Sequence, residues 1–338
     1  AEEIIKDRKI LKREAFLNLS WSGYLLSKVA VQFMISAIQA FTFVMIGNTI
    51  MGIKGFYFEY WLVLFSSWTA ANMMGLLISD SFKTVVTIYI LIPILVIPQI
   101  ILSGIIVKYE ELNPQISSPK RIPFYGEVIT ARWAYEGLAT YQYINNEYEK
   151  HYYEAKKLQS IGNLKANAHI TPLLNKIDFI ERNASNPEHA DEIEYNLKVL
   201  RNEIRDEYEE RMILSSYYDK APKIFMQSNL EKLYPDQVNG EVLGYTREYL
   251  ETLQEFYREM LRGAKSEIDS ITGEFDREEL NDLRRNHTNK RLEEFVTNNK
   301  SFTMFAEFKR RGTGDLIQKR DPIYQDPTYG FIKAHFYA

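Results

Sequence analysis

Residues 29–53 read VAVQFMISAIQAFTFVMIGNTIMGI, a run of 25 positions without a charged side chain. Two more uncharged runs follow it closely, YWLVLFSSWTAANMMGLLIS at 60–79 and TVVTIYILIPILVIPQIILSGIIV at 84–107. A helix needs about 20 apolar residues to cross the hydrocarbon layer of a bilayer, and each run meets that length. One such run is compatible with a buried hairpin in a soluble core. Three in succession predict three membrane-spanning helices.

The charged residues of this chain all lie outside those runs, and most of them follow residue 107. Residues 108–338 hold 33 Lys and Arg against 39 Asp and Glu, so this long segment is mildly acidic and a poor candidate for nucleic-acid binding. The absence of cysteine excludes disulfides, thiolate metal ligands and cysteine nucleophiles. The chain begins at Ala1 rather than Met, and we interpret this start as a cut within a longer protein.

The positive charges before the first run predict the orientation. Six basic residues precede or open it: Lys6, Arg8, Lys9, Lys12, Arg13 and Lys28. By the positive-inside rule residues 1–28 are cytoplasmic, and three crossings place residues 108–338 on the extracytoplasmic side. The apolar residues among these charges indicate an amphipathic helix along the inner face or against a partner. A simple membrane-entry helix remains the alternative.

Residues 108–338 show helical rather than strand periodicity. Apolar residues recur at steps of three and four in three stretches, around Tyr141–Tyr152, Ile193–Ile204 and Val242–Met260. The predicted fold class is therefore all-α, with three membrane spans in residues 29–107 followed by a large helical extracytoplasmic domain. The tyrosines in these stretches are compatible with glycan binding, but core and interface packing is the commoner use of such stripes.

No catalytic site is expected in this chain. The histidines form no HExxH pair, and neither a GxSxG nucleophile elbow nor a GxxxxGK[ST] phosphate loop is present. The segment Glu188–Glu192 gathers carboxylates around His189, but an acidic helix start explains it better than a metal site, because carboxylates favour that end of the helix dipole. We expect neither a metal nor a cofactor bound to these residues.

Three stretches resemble the permease part of ABC transporters of the ABC-2 type, in particular the G (White) subfamily. They are the segment before the first span, with Arg13-Glu14, Ser20, Tyr24 and Lys28; the end of the third span, Pro98–Val107; and Ile129–Leu138, which contains Arg132-Trp133. The resemblance implies that the chain is a fragment covering spans three to five of that fold and the large outer loop after them. This outer loop is longer than in eukaryotic relatives and lacks their disulfides.

The resemblance also implies roles for individual residues. Arg13, Glu14, Ser20 and Tyr24 correspond to the cytoplasmic loop whose coupling helix touches the ATPase. At the end of the third span, the gate and pathway residues are Pro98, Ser103, Gly104, Ile105 and Ile106, where the two isoleucines plug the path. A small outer helix contains Arg132, Trp133 and Glu136.

These implications define the expected function. An ATP-binding domain or subunit, which would bind ATP and Mg²⁺, and a second permease copy are the expected partners, together with membrane lipid. The chain is expected in a bacterial inner membrane, exporting an amphipathic, lipid-like or glycan substrate. The alternative is a membrane-anchored periplasmic helical scaffold, or a mechanotransmission protein, without transport activity. An ATPase encoded with the parent protein favours the transporter, and its absence favours the scaffold.

Overall fold

A computed structural model describes residues 3–14, 20–82, 84–103, 105, 123–215, 231–297, 305–308, 315–318 and 322–324. Almost all of these residues are helical, which confirms the predicted fold class. The α-helices are α1 Glu3–Glu14, α2 Trp21–Met51, α3 Tyr57–Ser81, α4 Val85–Leu102, α5 Phe124–Glu127, α6 Thr130–Asn145, α7 Glu149–Asn163, α8 Ile170–Asn183, α9 Ala190–Ser215, α10 Gly240–Glu274, α11 Arg277–His287 and α12 Lys290–Thr297.

Helices α2, α3 and α4 are long and apolar enough to cross a membrane, as the three uncharged runs predict. Helix α2 begins at Trp21, eight residues before the predicted span, because the side chain of Ser20 accepts a hydrogen bond from the Gly23 amide and caps the helix. It ends at Met51, and the next residue, Gly52, has a φ of 68°, a left-handed conformation that glycine adopts without strain.

Helix α4 runs through Pro93 and Pro98 and ends at Leu102, five residues before the end of the third uncharged run. The helix ends there because the next residue, Ser103, donates its hydroxyl to the Ile100 carbonyl at 2.9 Å. This hydrogen bond satisfies one of the carbonyls in the last turn, which have no partner within the helix. Proline lacks an amide donor and crowds the preceding helical turn, so Pro93 and Pro98 predict a bend in this span.

The chain divides into two compact units, and the division falls between Gln142 and Tyr143. Helices α5 and most of α6 therefore fall in the same compact unit as the spans, and the extracytoplasmic domain from residue 108 stays a prediction. Two contacts explain this within the first unit. The Tyr60 hydroxyl donates to Gln142 Oε1 at 2.5 Å, and the rings of Phe56 and Tyr141 meet edge to face, with centroids 6.0 Å apart.

The second unit is built around α7 to α10. A π-helical segment, Leu164–His169, joins α7 directly to α8, so the two helices form one long rod that packs on α10. The core between them is aliphatic, with Ile170, Leu173, Ile177, Leu197, Leu200, Leu250 and Leu253 almost fully buried. A Cβ atom added at Gly162 would lie 2.9 Å from the Tyr257 carbonyl oxygen, so α7 and α10 approach backbone to backbone there.

A small antiparallel hairpin joins this helical unit, and the sequence did not lead us to expect it. Strand β1, Phe305–Phe308, pairs with β2, Asp315–Gln318, with Phe305 opposite Gln318 and Phe308 opposite Asp315. Each strand has four residues, too few for a clear two-residue periodicity in the sequence. The side chain of Leu316 joins the core of the unit.

Candidate functional site

The segment predicted to couple to an ATPase lies across the ends of two spans. At the start of α1, the amides of Ile4 and Ile5 both donate to Ser79 Oγ, at 3.1 and 3.2 Å. Ser79 lies in the last turn of α3 and is fully buried. Because the first amides of a helix have no intrahelical acceptor, a hydroxyl from another helix here acts as a cap for α1.

A second contact ties α1 to the first turns of α2. Asp7 forms an ion pair with Lys28 at 2.8 Å and accepts a hydrogen bond from the Tyr24 hydroxyl at 2.9 Å. The hydrogen bonds from Lys28 and then Tyr24 lower the pKa of Asp7. Ile4 and Leu11, on the inner face of α1, are buried at 3% and 9% exposure. Helix α1 is therefore the amphipathic helix that its sequence predicts.

The four predicted coupling residues occupy different positions. Tyr24 contacts α1 directly through Asp7, whereas Ser20 caps α2. Arg13 is exposed in the last turn of α1, and Glu14 ends that helix, with its side chain outside the described residues. Sequence reasoning missed Asp7 and Ser79, because their partners are distant along the chain. Tyr24 lies 17 residues from Asp7, and the amides that bind Ser79 lie 74 and 75 residues from it.

Some polar side chains within the spans form hydrogen bonds between helices, whereas others are exposed. Asn72 Nδ2 donates to Ser36 Oγ at 2.8 Å, and this interhelical hydrogen bond joins α3 to α2. Gln39 and Gln99, by contrast, are exposed on α2 and α4. An exposed amide in a spanning helix is costly in lipid, so these two side chains indicate faces that other helices or a pathway cover.

The predicted gate is only partly described. Pro98 is exposed on α4, Ser103 is 4% exposed at its end, and Ile105 is half-buried just beyond. The Ile105 amide donates to Ser103 Oγ at 3.3 Å, so the serine fixes the chain direction immediately before the isoleucine pair. Gly104 and Ile106 lie outside the described residues.

The predicted outer-helix residues form a buried ion cluster at the start of α6. Arg132 and Glu136 are both fully buried and paired at 2.6 Å, one helical turn apart. The guanidinium also binds Glu127 at 3.0 Å, donates to the Gly126 carbonyl at 2.9 Å, and lies 4.1 Å from the ring centroid of Trp133. One cation thus holds α5 against α6. Glu127, which completes the cluster, was not predicted.

The second unit contains a larger buried polar network that sequence reasoning missed. Glu207 is 2% exposed and accepts from Arg211 Nε at 2.9 Å, from the Tyr257 hydroxyl at 3.0 Å and from the Tyr249 hydroxyl at 3.3 Å. Arg211 also donates to Tyr249 at 3.1 Å, which closes a ring across α9 and α10. Burial raises the pKa of both tyrosines, so each keeps its donor proton.

The π-helical segment supplies the other half of this network. Its Lys165 forms an ion pair with Glu210, and its His169 lies 2.8 Å from Glu203. Burial alone would lower the pKa of Lys165, but Glu210 and the neighbouring carboxylates outweigh burial and raise it. Glu203 also accepts the Leu316 amide of β2 at 2.6 Å. These contacts hold charged groups rigidly, and within the described residues no three His, Asp or Glu side chains gather as a metal site would require.

Comparison with known proteins found one family that is similar to the first unit. Residues 2–143 match the family ABC-2 type transporter. This range begins with α1, contains the three spans, and ends within one residue of the division between the two compact units. No curated protein and no solved structure is significantly similar to the chain. Residues 2–143, which contain the three predicted spans, are therefore similar to the membrane domain of ABC-2 type transporters.

Proposed function

We propose that this chain is the permease part of an ATP-driven exporter, in which α1 receives the movement of an ATP-binding domain or subunit. The observation that supports this most directly is the fixed position of α1 within an ABC-2 type domain. It binds the start of α2 through Asp7 and the end of α3 through Ser79. A helix bound to the adjacent ends of two spans is suited to transmit force, because it cannot move without pulling on both spans.

The charges of α1 support a cytoplasmic partner. Lys12 and Arg13 are exposed in its last turn, close in sequence to the other basic residues before the first span. An excess of positive charge marks the cytoplasmic side of a membrane protein. With α1 on that side, three crossings place residues 108–338 on the extracytoplasmic side of a bacterial inner membrane.

The exposed amides of Gln39 and Gln99 support a second permease copy. Both lie on apolar spans, where an exposed amide that faces lipid is costly, so a second copy that covers them would supply hydrogen-bond partners. In the proposed dimer, Ile105 and Ile106 from the two copies form a dry constriction that opens when the spans tilt. The substrate class we propose is amphipathic, lipid-like or glycan.

A charge reversal on α1 tests this function. Lys12→Glu with Arg13→Glu should weaken association with the ATP-binding partner by about tenfold, equivalent to about 1.4 kcal/mol. Lys54→Glu is the matched control, because Lys54 is also exposed but lies in the link at the other end of α2 and α3. Affinity capture from detergent-solubilised membranes measures the association. Equal retention of the partner by both variants would contradict the proposed coupling surface.

The gate has its own test. Replacement of Ile105 and Ile106 by Ala widens and wets the proposed constriction. In the full transporter, we expect a raised basal rate of ATP hydrolysis or leakage of small solutes from proteoliposomes. Val96→Ala is the control, since Val96 is an exposed apolar residue of the same span. An unchanged double variant would rule out the isoleucine gate while leaving the coupling surface intact.

A further inference from the structure

The contact between Ser79 and α1 has an unusual source. The amide donors at a helix start normally find an acceptor in the residue that immediately precedes the helix. For α1 the acceptor is the hydroxyl of Ser79, 75 and 74 residues further along the chain, and this one oxygen accepts from two successive amides. Ser79 is 0% exposed and Ile4 is 3% exposed, so the hydrogen bond from Ile4 is buried, and the one from Ile5 is partly buried.

The contact at Asp7 makes α1 a bridge. Ser79 ties its first turn to the end of α3, and Asp7, one turn further on, is bound by Tyr24 and Lys28 in the first two turns of α2. These are the ends of two spans on one side of the proposed membrane. Loss of one contact should leave α1 attached to a single span.

We propose that Ser79 is a positioning residue that passes movement of α1 into the second span. This inference rests on the proposed function, since it requires an ATP-driven partner to move α1. Two hydrogen bonds from consecutive amides fix the direction of α1 as well as its distance from α3, which an apolar contact alone would not do. In this mechanism Asp7 transmits the movement to α2 and Ser79 transmits it to α3, so that both spans tilt together.

The chain offers matched variants for this inference. Ser79→Ala removes the acceptor, whereas Ser79→Thr keeps a hydroxyl at the same position. Ser81→Ala is the control, because Ser81 lies in the same helical turn but is exposed, and its hydroxyl donates to the Leu77 carbonyl of its own helix. Ile5→Pro removes one of the two donors from the other side of the contact, and proline is tolerated in the first turn of a helix.

The readout is movement of the spans in the assembled transporter with its ATP-binding partner. The chain has no native cysteine, so Lys54→Cys introduces one exposed spin-label site at the opposite end of α2 and α3. The distance between labels on the two copies is measured by pulsed electron resonance, without nucleotide and after trapping with ATP and vanadate. ATP hydrolysis is measured on the same samples, because a purely structural defect would lower both quantities together.

The expected result is a nucleotide-dependent distance shift in the unaltered transporter that Ser79→Ala and Ile5→Pro each reduce to less than half, with near-normal ATP hydrolysis. Ser79→Thr and Ser81→Ala should retain the shift. A full shift in Ser79→Ala, or a parallel loss of ATP hydrolysis, would overturn the role of Ser79 while leaving the proposed function standing. Absence of any shift in the unaltered transporter would instead overturn the ATP-driven function, and the role of Ser79 with it.

Discussion

Polar contacts between the spans are sparser than those in the buried network of the second unit. In the membrane-spanning unit, α2 and α3 are joined by single contacts, such as the hydrogen bond from Asn72 to Ser36. In the second unit, Glu207 alone accepts three hydrogen bonds from two helices. In lipid, separated helices also satisfy their polar groups, so each contact stabilises little, whereas in a water-soluble bundle a buried charge requires a complete set of partners.

The largest expected effect is at the centre of the buried network. Glu207→Ala leaves Arg211 buried without its carboxylate, and we expect a loss of about 3–5 kcal/mol in the free energy of unfolding of the second unit. Glu209→Ala, an exposed change on the same helix, is the control and should cost less than about 0.5 kcal/mol. Denaturant unfolding in detergent, followed by hydrogen exchange in α9 and α10, measures both. Equal stability of the two variants would show that the network is not structural.

The close approach of α7 and α10 gives the next largest effect. Gly162→Ala places a Cβ atom 2.9 Å from the Tyr257 carbonyl oxygen and 3.0 Å from the Leu261 amide nitrogen. Since neither backbone atom moves freely, we expect a loss of about 1–3 kcal/mol. Gly244→Ala and Gly263→Ala in α10 meet open space and should instead stabilise the helix by up to about 1 kcal/mol. The opposite signs are measured by the same unfolding experiment.

The network also predicts how stability changes with pH. Folding raises the pKa of Lys165, Tyr249 and Tyr257, so the folded state binds these protons more tightly than the unfolded chain. Their contribution is complete below the ordinary tyrosine pKa of about 10 and is lost as the pH rises through the folded-state values, by at most about 1.4 kcal/mol per group and pH unit. Tyr257→Phe should reduce this slope. A slope unchanged in Tyr257→Phe would contradict the prediction.

The smallest effect is expected between the spans. Asn72→Leu removes the hydrogen bond to Ser36 and should cost about 0.6 kcal/mol, the average for such contacts between membrane helices. Leu77→Ala is the control, because Leu77 is exposed on the same helix and its side chain cannot form a hydrogen bond. Steric-trap or mild-denaturant unfolding in bicelles measures the difference. A cost as large as that of Glu207→Ala would remove the contrast between the two units.

Local rules predicted the parts of this protein that depend on the chain alone. The uncharged runs predicted three spans, and the structure places α2, α3 and α4 there. Arg132 and Glu136, which the family resemblance singled out, form an ion pair because residues one helical turn apart meet on one face. Contacts between distant segments were not predictable in this way. Ser79, Asp7 and Glu127 look like ordinary polar residues until their partners are placed beside them.

The sequence by itself determined which segments are long and apolar enough to cross a membrane, since an uncharged run of 20 or more residues has few other stable environments. It also indicated, through the spacing of apolar residues, the helices that make up most of the described remainder. Only the tertiary structure decided which polar groups contact one another and where the first compact unit ends. It also showed that the buried side of α9 is mainly aliphatic in its first half and carries charged residues in its second half. The physical reason is the distance along the chain over which each interaction acts. Helical periodicity depends on residues three or four positions apart, whereas a buried charge is stabilised by a helix that can be distant in sequence.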